Sequence, residues 1–165
     1  MKTLQLEQPW LPLIRAHGKN VQNQPHRWRA ISLRQPWAWL ILHGTKDVEN
    51  RMQRFRWPER ILLHACKTFD INDYNGAVAF ARQADPHCPL PPPPEKLYLG
   101  GIVGVAWHNG EVLPNNEPPW RPWHMQGQYG FVLPERHPLP FIQCRGRQGI
   151  WPIGADLTRQ IEALL

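Results

Sequence analysis

Hydrophobic and polar positions along the chain change places in short stretches, broken at close intervals by proline and glycine. That pattern predicts brief strands and turns rather than long helices. Arg29 to Leu33 (RAISL) reads as a strand. The run from Pro36 to Gly44 reads as a buried helix of about two turns, with proline at its start and Gly44 at the C′ position. Asp47 to Arg51 alternates and predicts a strand with one mostly polar face. Arg60 to Ala65 (RILLHA) is a buried strand. A helix follows from Asp70, as N-cap, to about Ala84. Tyr98 to Val112 is β-rich, and Gly100, Gly101 and Gly104 mark a bulge or tight bend. Gln128 to Leu133 and Gly149 to Ile153 are two more strands. Asp156 caps a short terminal helix with Leu157, Ile161 and Leu164 on one face.

Residues 1–28 form an N-terminal extension without sustained period, in which Trp10, Leu11, Leu13 and Ile14 are placed to act as a strap. Residues 85–97 hold six prolines and read as a stiff, irregular spacer. Residues 113–127 are a second loop rich in Pro and Trp. About six strands and two or three helices, without regular βαβ alternation, predict an α+β domain over residues 29–165. Its expected architecture is a small, partly closed mixed β-barrel with flanking short helices.

The 165 residues suit one domain able to bury a core without metal or disulfides. The longest strictly apolar run, Trp37 to Leu42, is far short of a membrane span, and the first residues lack a signal peptide's continuous apolar stretch. Three cysteines without CxxC spacing fit a reducing cytoplasm. No metal or other cofactor is expected, because His64-x-Cys66 and His87-Cys88 lack zinc-type spacing. Nine tryptophans exceed what a core of this size needs, so some are expected on a cleft wall.

Charge sharpens the picture. Nine basic and three acidic residues fall between Arg27 and Lys67, which accounts for the whole net charge of +6. A basic segment on an otherwise neutral body is the footprint of a polyanion binder. Arg54 and Arg56 lie in that segment and are expected to contribute to the basic face.

The densest chemistry is Arg34-Gln35-Pro36-Trp37-Ala38 followed by Gly44-x-Lys46-x-x-Glu49-x-Arg51. The first piece is a strand-to-helix turn that sets Arg34 and Gln35 beside helix-start N–H groups, which favour anions. The second is a helix-to-strand turn. It places Lys46 at the strand mouth and puts Asp47, Glu49 and Arg51 on one face, with Val48 directed to the core. These residues, with Leu62-Leu63-His64-Ala65 and Gly149-Ile150-Trp151, resemble the ASCH family of PUA-like domains over roughly residues 29–153. The resemblance implies a barrel with a flanking helix and an exposed G-x-K-x-x-E-x-R cleft. It implies binding of RNA or a nucleotide, and a kinship with an acetylcytidine amidohydrolase and with RNA-cleaving relatives. In the amidohydrolase branch a threonine follows the lysine three residues on; here that position is Glu49.

The leading expectation is therefore RNA or modified-nucleotide binding through Arg34, Gln35, Trp37, Lys46, Arg51, Arg54, Arg56, His64 and Lys67. The alternative is a hydrolase acting on a modified nucleoside or RNA with Lys46 and Glu49, the carboxylate serving as orienter or base. A hydroxyl nucleophile would have to be Thr45, Thr68 or the chain's single serine, Ser32. A lysine at a turn is expected to bury little, so Lys46→Ala should affect function more than stability. An adaptor role, with a protein partner docking on the proline-rich loop, ranks third, and no membrane partner is expected.

Overall fold

The computed structural model describes residues 28–115 and 121–165. The proposed strap of Trp10 to Ile14 lies outside them. Residues 28–152 form one compact unit, and the segment from Ile153 onward is described separately.

The first unit contains β1 (Arg29–Leu33), α1 (Trp37–His43), β2 (Val48–Arg51), β3 (Arg60–Ala65) and α2 (Ile71–Ala84). It continues through β4 (Gly101–Trp107), β5 (Glu111–Val112), β6 (Tyr129–Val132), β7 (Glu135–Gln143) and β8 (Ile150–Pro152). The architecture is α+β, as expected. The strands do not close a barrel. They form a mixed five-stranded sheet, ordered β7-β4-β3-β1-β8, and a separate three-stranded sheet, β2-β6-β5.

β1 and β3 run parallel, with Ser32 opposite His64. β4 is antiparallel to both β3 and β7. The C-terminal ends of β1, β3 and β7 therefore emerge on one side of the sheet, where β4 begins. Residues from both sheets and from α1 share a core that includes Ile31, Ile41, Ile61, Leu63, Phe131 and Leu133. A second cluster joins Leu40, Val48, Ala77, Ala81, Cys88 and Trp123, anchoring α2 beside α1.

β7 has no counterpart in the expected strands. It carries Pro138 and Pro140, residues that argue against a central strand, but it lies at a sheet edge, where proline is tolerated. The register shifts opposite the stretch from Ile102 to Gly104, near the glycines read as a bulge.

Helix ends follow local chemistry. Asp70 caps α2 by accepting from the N–H groups of Asn72 and Asp73 at 2.7 and 3.1 Å. Gly44 ends α1 with an extended backbone; its small size matters because a Cβ would lie 2.7 Å from the Leu40 carbonyl oxygen and 3.0 Å from Cys88 Sγ. The proline-rich stretch 85–97 is irregular except for one 3-10 turn at Pro94–Lys96.

In the separate segment, α3 (Ala155–Leu164) buries Ile161. Its N-cap is Gly154 rather than Asp156. Asp156 sits in the first turn, where it pairs with Arg159. Among the described residues no helix is long and apolar enough to cross a membrane.

Candidate functional site

A cleft of about 1330 Å³ opens where the ends of β1, β3 and β7 meet. β1 and the turn after it supply Ser32, Arg34 and Trp37. β2, from the other sheet, supplies Glu49, Asn50 and Arg51. The end of β3 supplies His64, Cys66, Lys67 and Thr68, and the loop after β7 supplies Cys144, Arg145 and Arg147. Five cationic side chains (Arg34, Arg51, Lys67, Arg145 and Arg147) face a single carboxylate, Glu49.

The Lys46–Glu49–Arg51 group assembles, but more deeply than its sequence implies. Lys46 is 1% exposed and Glu49 7%. The Lys46 ammonium donates to Glu49 Oε2 at 3.1 Å and also to the Val48 carbonyl. It lies 5.6 Å from the centre of the Trp37 ring. Arg51 Nε is 3.0 Å from Glu49 Oε1, an ion pair rather than an aligned hydrogen bond. Arg51 Nη2 donates to the Ser32 carbonyl at 2.9 Å.

This corrects the picture of a turn lysine that buries little. The chain folds Lys46 back beneath β2, where it supports Glu49 from below and does not line the cleft. Burial, which disfavours the charged form, moves its pKa below the ordinary lysine value; the facing Glu49 carboxylate acts in the opposite sense.

Gln35 is also sealed in. Its side chain accepts from the Trp39 N–H at 3.1 Å and donates to the Tyr98 carbonyl at 3.0 Å. It therefore occupies the helix-start donor that an anion was expected to reach. Arg34 pairs with Asp73 of α2, at 2.5 Å, and its side chain remains 61% exposed. Trp37 lines the cleft and packs edge-on against Phe80, with ring centres 5.9 Å apart. Trp39, on another face of α1, packs against His43.

Arg54 and Arg56 are not brought to this cleft. They line a separate cavity of about 480 Å³ with Trp57, His108 and Phe131, and Arg54 pairs with Glu111.

His64 is 2% exposed yet lines the cleft, so it is both a core histidine and a site residue. Nε2 is 3.1 Å from the Cys144 carbonyl oxygen, and Nδ1 is 3.5 Å from Ser32 Oγ. Burial moves its pKa below 6.5, against smaller opposing effects of the Cys144 carbonyl and of the residue's own backbone. The ring edge is packed against Gly146: a Cβ at that position would stand 2.7 Å from Nδ1. Ser32 Oγ donates to the Arg147 carbonyl at 2.6 Å and accepts from Trp151 Nε1 at 3.1 Å.

The residues missed in the sequence are those of the loop Gln143-Cys-Arg-Gly-Arg-Gln148. The available signal was its Arg-Gly-Arg core, two cations spaced by a residue with no side chain. It was hidden because charge outside residues 27–67 sums to zero.

No family model matches the chain, and no curated protein matches it. Among solved structures, the chain is similar to ASCH from Zymomonas mobilis, seen in its natural form and in two single-substitution variants. Identity is 18% in each case, with a TM-score of 0.48. The match covers 84% of this chain and 95–98% of those.

Proposed function

We propose that residues 28–152 are an RNA- or nucleotide-binding domain of ASCH type, and that the cleft at the ends of β1, β3 and β7 is its binding surface. The observation that carries this reading is the lining: Arg34 and Arg51 are paired with Asp73 and Glu49, and Lys67, Arg145 and Arg147 add three cations with no further carboxylate in the lining. Such an excess in a concave surface draws phosphate. The indole of Trp37 on the wall offers a face for a base, and stacking of that kind contributes about 1–3 kcal/mol per base.

In this reading Lys46 is a support for Glu49 and Arg51 rather than a group that meets the ligand. Glu49 holds Arg51 oriented toward the cleft. The Asn50 amide is held by two bonds to the backbone of the segment around Trp123 and Met125. Its Nδ2 donates to the Trp123 carbonyl and its Oδ1 accepts from the Met125 N–H, each at 2.8 Å.

The test is fluorescence anisotropy with a labelled single-stranded RNA oligonucleotide at several salt concentrations. Affinity should fall steeply with salt. The double variant Arg145→Glu with Arg147→Glu should weaken binding at least tenfold and flatten the logarithmic salt slope by roughly 1.4–1.8, two phosphate contacts' worth. Arg54→Glu with Arg56→Glu, in the separate cavity, should change affinity much less. Equal losses in the two double variants, or none in the first, would sink the assignment of this cleft.

A further inference from the structure

Ser32 is the chain's single serine, and the fold places its hydroxyl beside a buried histidine. It sits on β1 directly opposite His64 on the parallel strand β3. His64 Nε2 lies 3.1 Å from the Cys144 carbonyl, an oxygen that can only accept. Nε2 therefore carries the ring hydrogen in the neutral imidazole, and Nδ1 presents its lone pair 3.5 Å from Ser32 Oγ. The Cys144 carbonyl and the close-packed Gly146 fix the ring. A base oriented by a third group beside a hydroxyl is the general pattern of an activated nucleophile.

One further contact bears on the hydroxyl oxygen itself and another on the backbone of the same residue. The Trp151 N–H donates to Ser32 Oγ at 3.1 Å and so stabilises charge developing there. The Arg51 guanidinium bonds the carbonyl of the same residue. At rest the hydroxyl hydrogen is directed to the Arg147 carbonyl at 2.6 Å. A rotation about the Cβ–Oγ bond redirects it to His64.

We propose that Ser32 is a nucleophile, with His64 as its general base, for carboxylic esters carried by phosphate-bearing molecules in this cleft. The substrate class rests on the anion-binding reading above; the nucleophile itself does not. In the first step Oγ bonds to the acyl carbon while its proton passes to His64 Nδ1. The acyl–oxygen bond then breaks, and the departing alcohol takes that proton. Water repeats the sequence on the acyl-serine, His64 accepting its proton and returning one to Ser32 Oγ, so that ester and water give acid and alcohol. The guanidinium groups that line the cleft give it the positive charge that favours a developing oxyanion.

The test uses the full chain and a neutral alkyl fluorophosphonate, read by intact mass and peptide mapping. One adduct should form, on Ser32, and none in Ser32→Ala. His64→Gln should slow labelling at least a hundredfold. Because that variant could perturb the core, the pH profile of the unaltered protein supplies a second readout. Labelling should level off between about pH 6.5 and 7.5, since the imidazole titrates below its ordinary value, and should fall tenfold per unit in acid. No adduct, an adduct elsewhere, or a rate that climbs without plateau to pH 9 would overturn the proposal. RNA anisotropy on the same sample separates the two readings. Binding without labelling leaves the cleft assignment standing and removes the nucleophile. Labelling without binding keeps the dyad and removes the phosphate-bearing substrate class.

Discussion

Replacing Lys46 by alanine should unfold the protein more readily rather than merely empty its cleft. The substitution deletes an ammonium that donates to both the Val48 carbonyl and Glu49. It leaves Glu49, 7% exposed, with Arg51 as its remaining charged partner. Removing one member of a buried ion pair costs about 3–5 kcal/mol when the other charge is left uncompensated, and the Arg51 partner keeps the cost at the lower end, about 3 kcal/mol. In a chain of this size about 1 kcal/mol moves Tm by roughly 2–4 °C. The expected fall is therefore on the order of 6–12 °C, measured by circular dichroism at neutral pH. Lys46→Met keeps most of the apolar stem and should still lose much of that stability. Adding Glu49→Gln to Lys46→Met removes the stranded charge and should recover a good part of it. Melting of Lys46→Ala within about 2 °C of the unaltered protein would refute the reasoning. It would mean that the lysine spends its time in solvent and that the buried pair contributes nothing.

Two further outcomes follow from the cleft. Gly146→Ala would drive a methyl group into the His64 ring, so it should displace the loop after β7 and weaken RNA affinity severalfold in the anisotropy assay, with a smaller loss in Tm. Burial lowers the pKa of His43, His64, His108 and His137 alike. A histidine that protonates less readily when folded contributes stability that is complete above 6.5 and is lost as pH falls from 6.5 through the folded value. The urea midpoint should hold from pH 8 to 7 and then decline toward pH 5, with a shallower decline in His64→Gln; a midpoint that rises on acidification would contradict this.

The strands of the sheet centre were legible because burial writes itself as apolar runs, as in Arg60 to Ala65 and Gly101 to Trp107. The α2 start was legible because Asp70 is a side-chain cap, a purely local device. β7 was not, because its prolines are acceptable only at an edge, and edge position is a property of the whole sheet. The same distinction runs through the site. Spacing alone joined Lys46, Glu49 and Arg51, which lie within one turn and one strand. It gave no measure of depth, since the burial of Lys46 depends on how the chain covers β2. Nor could it bring Ser32 to His64, or the loop carrying Arg145 and Arg147 to either, since those meetings depend on strand order across 32 and 115 residues of chain.

The edge position of β7 also bears on how these molecules behave at high concentration. An exposed strand edge is a template for a neighbour's backbone. The outermost strands of the large sheet are β7 and β8. β8 has three residues, too few to hold a partner strand. β7 has nine, but Pro138 and Pro140 carry no N–H, and its pairing with β4 slips near its middle. A visiting strand would meet an interrupted, bent row of donors instead of a continuous one. The features that obscured this strand in the sequence thus protect the folded chain from stacking edge to edge into fibrils.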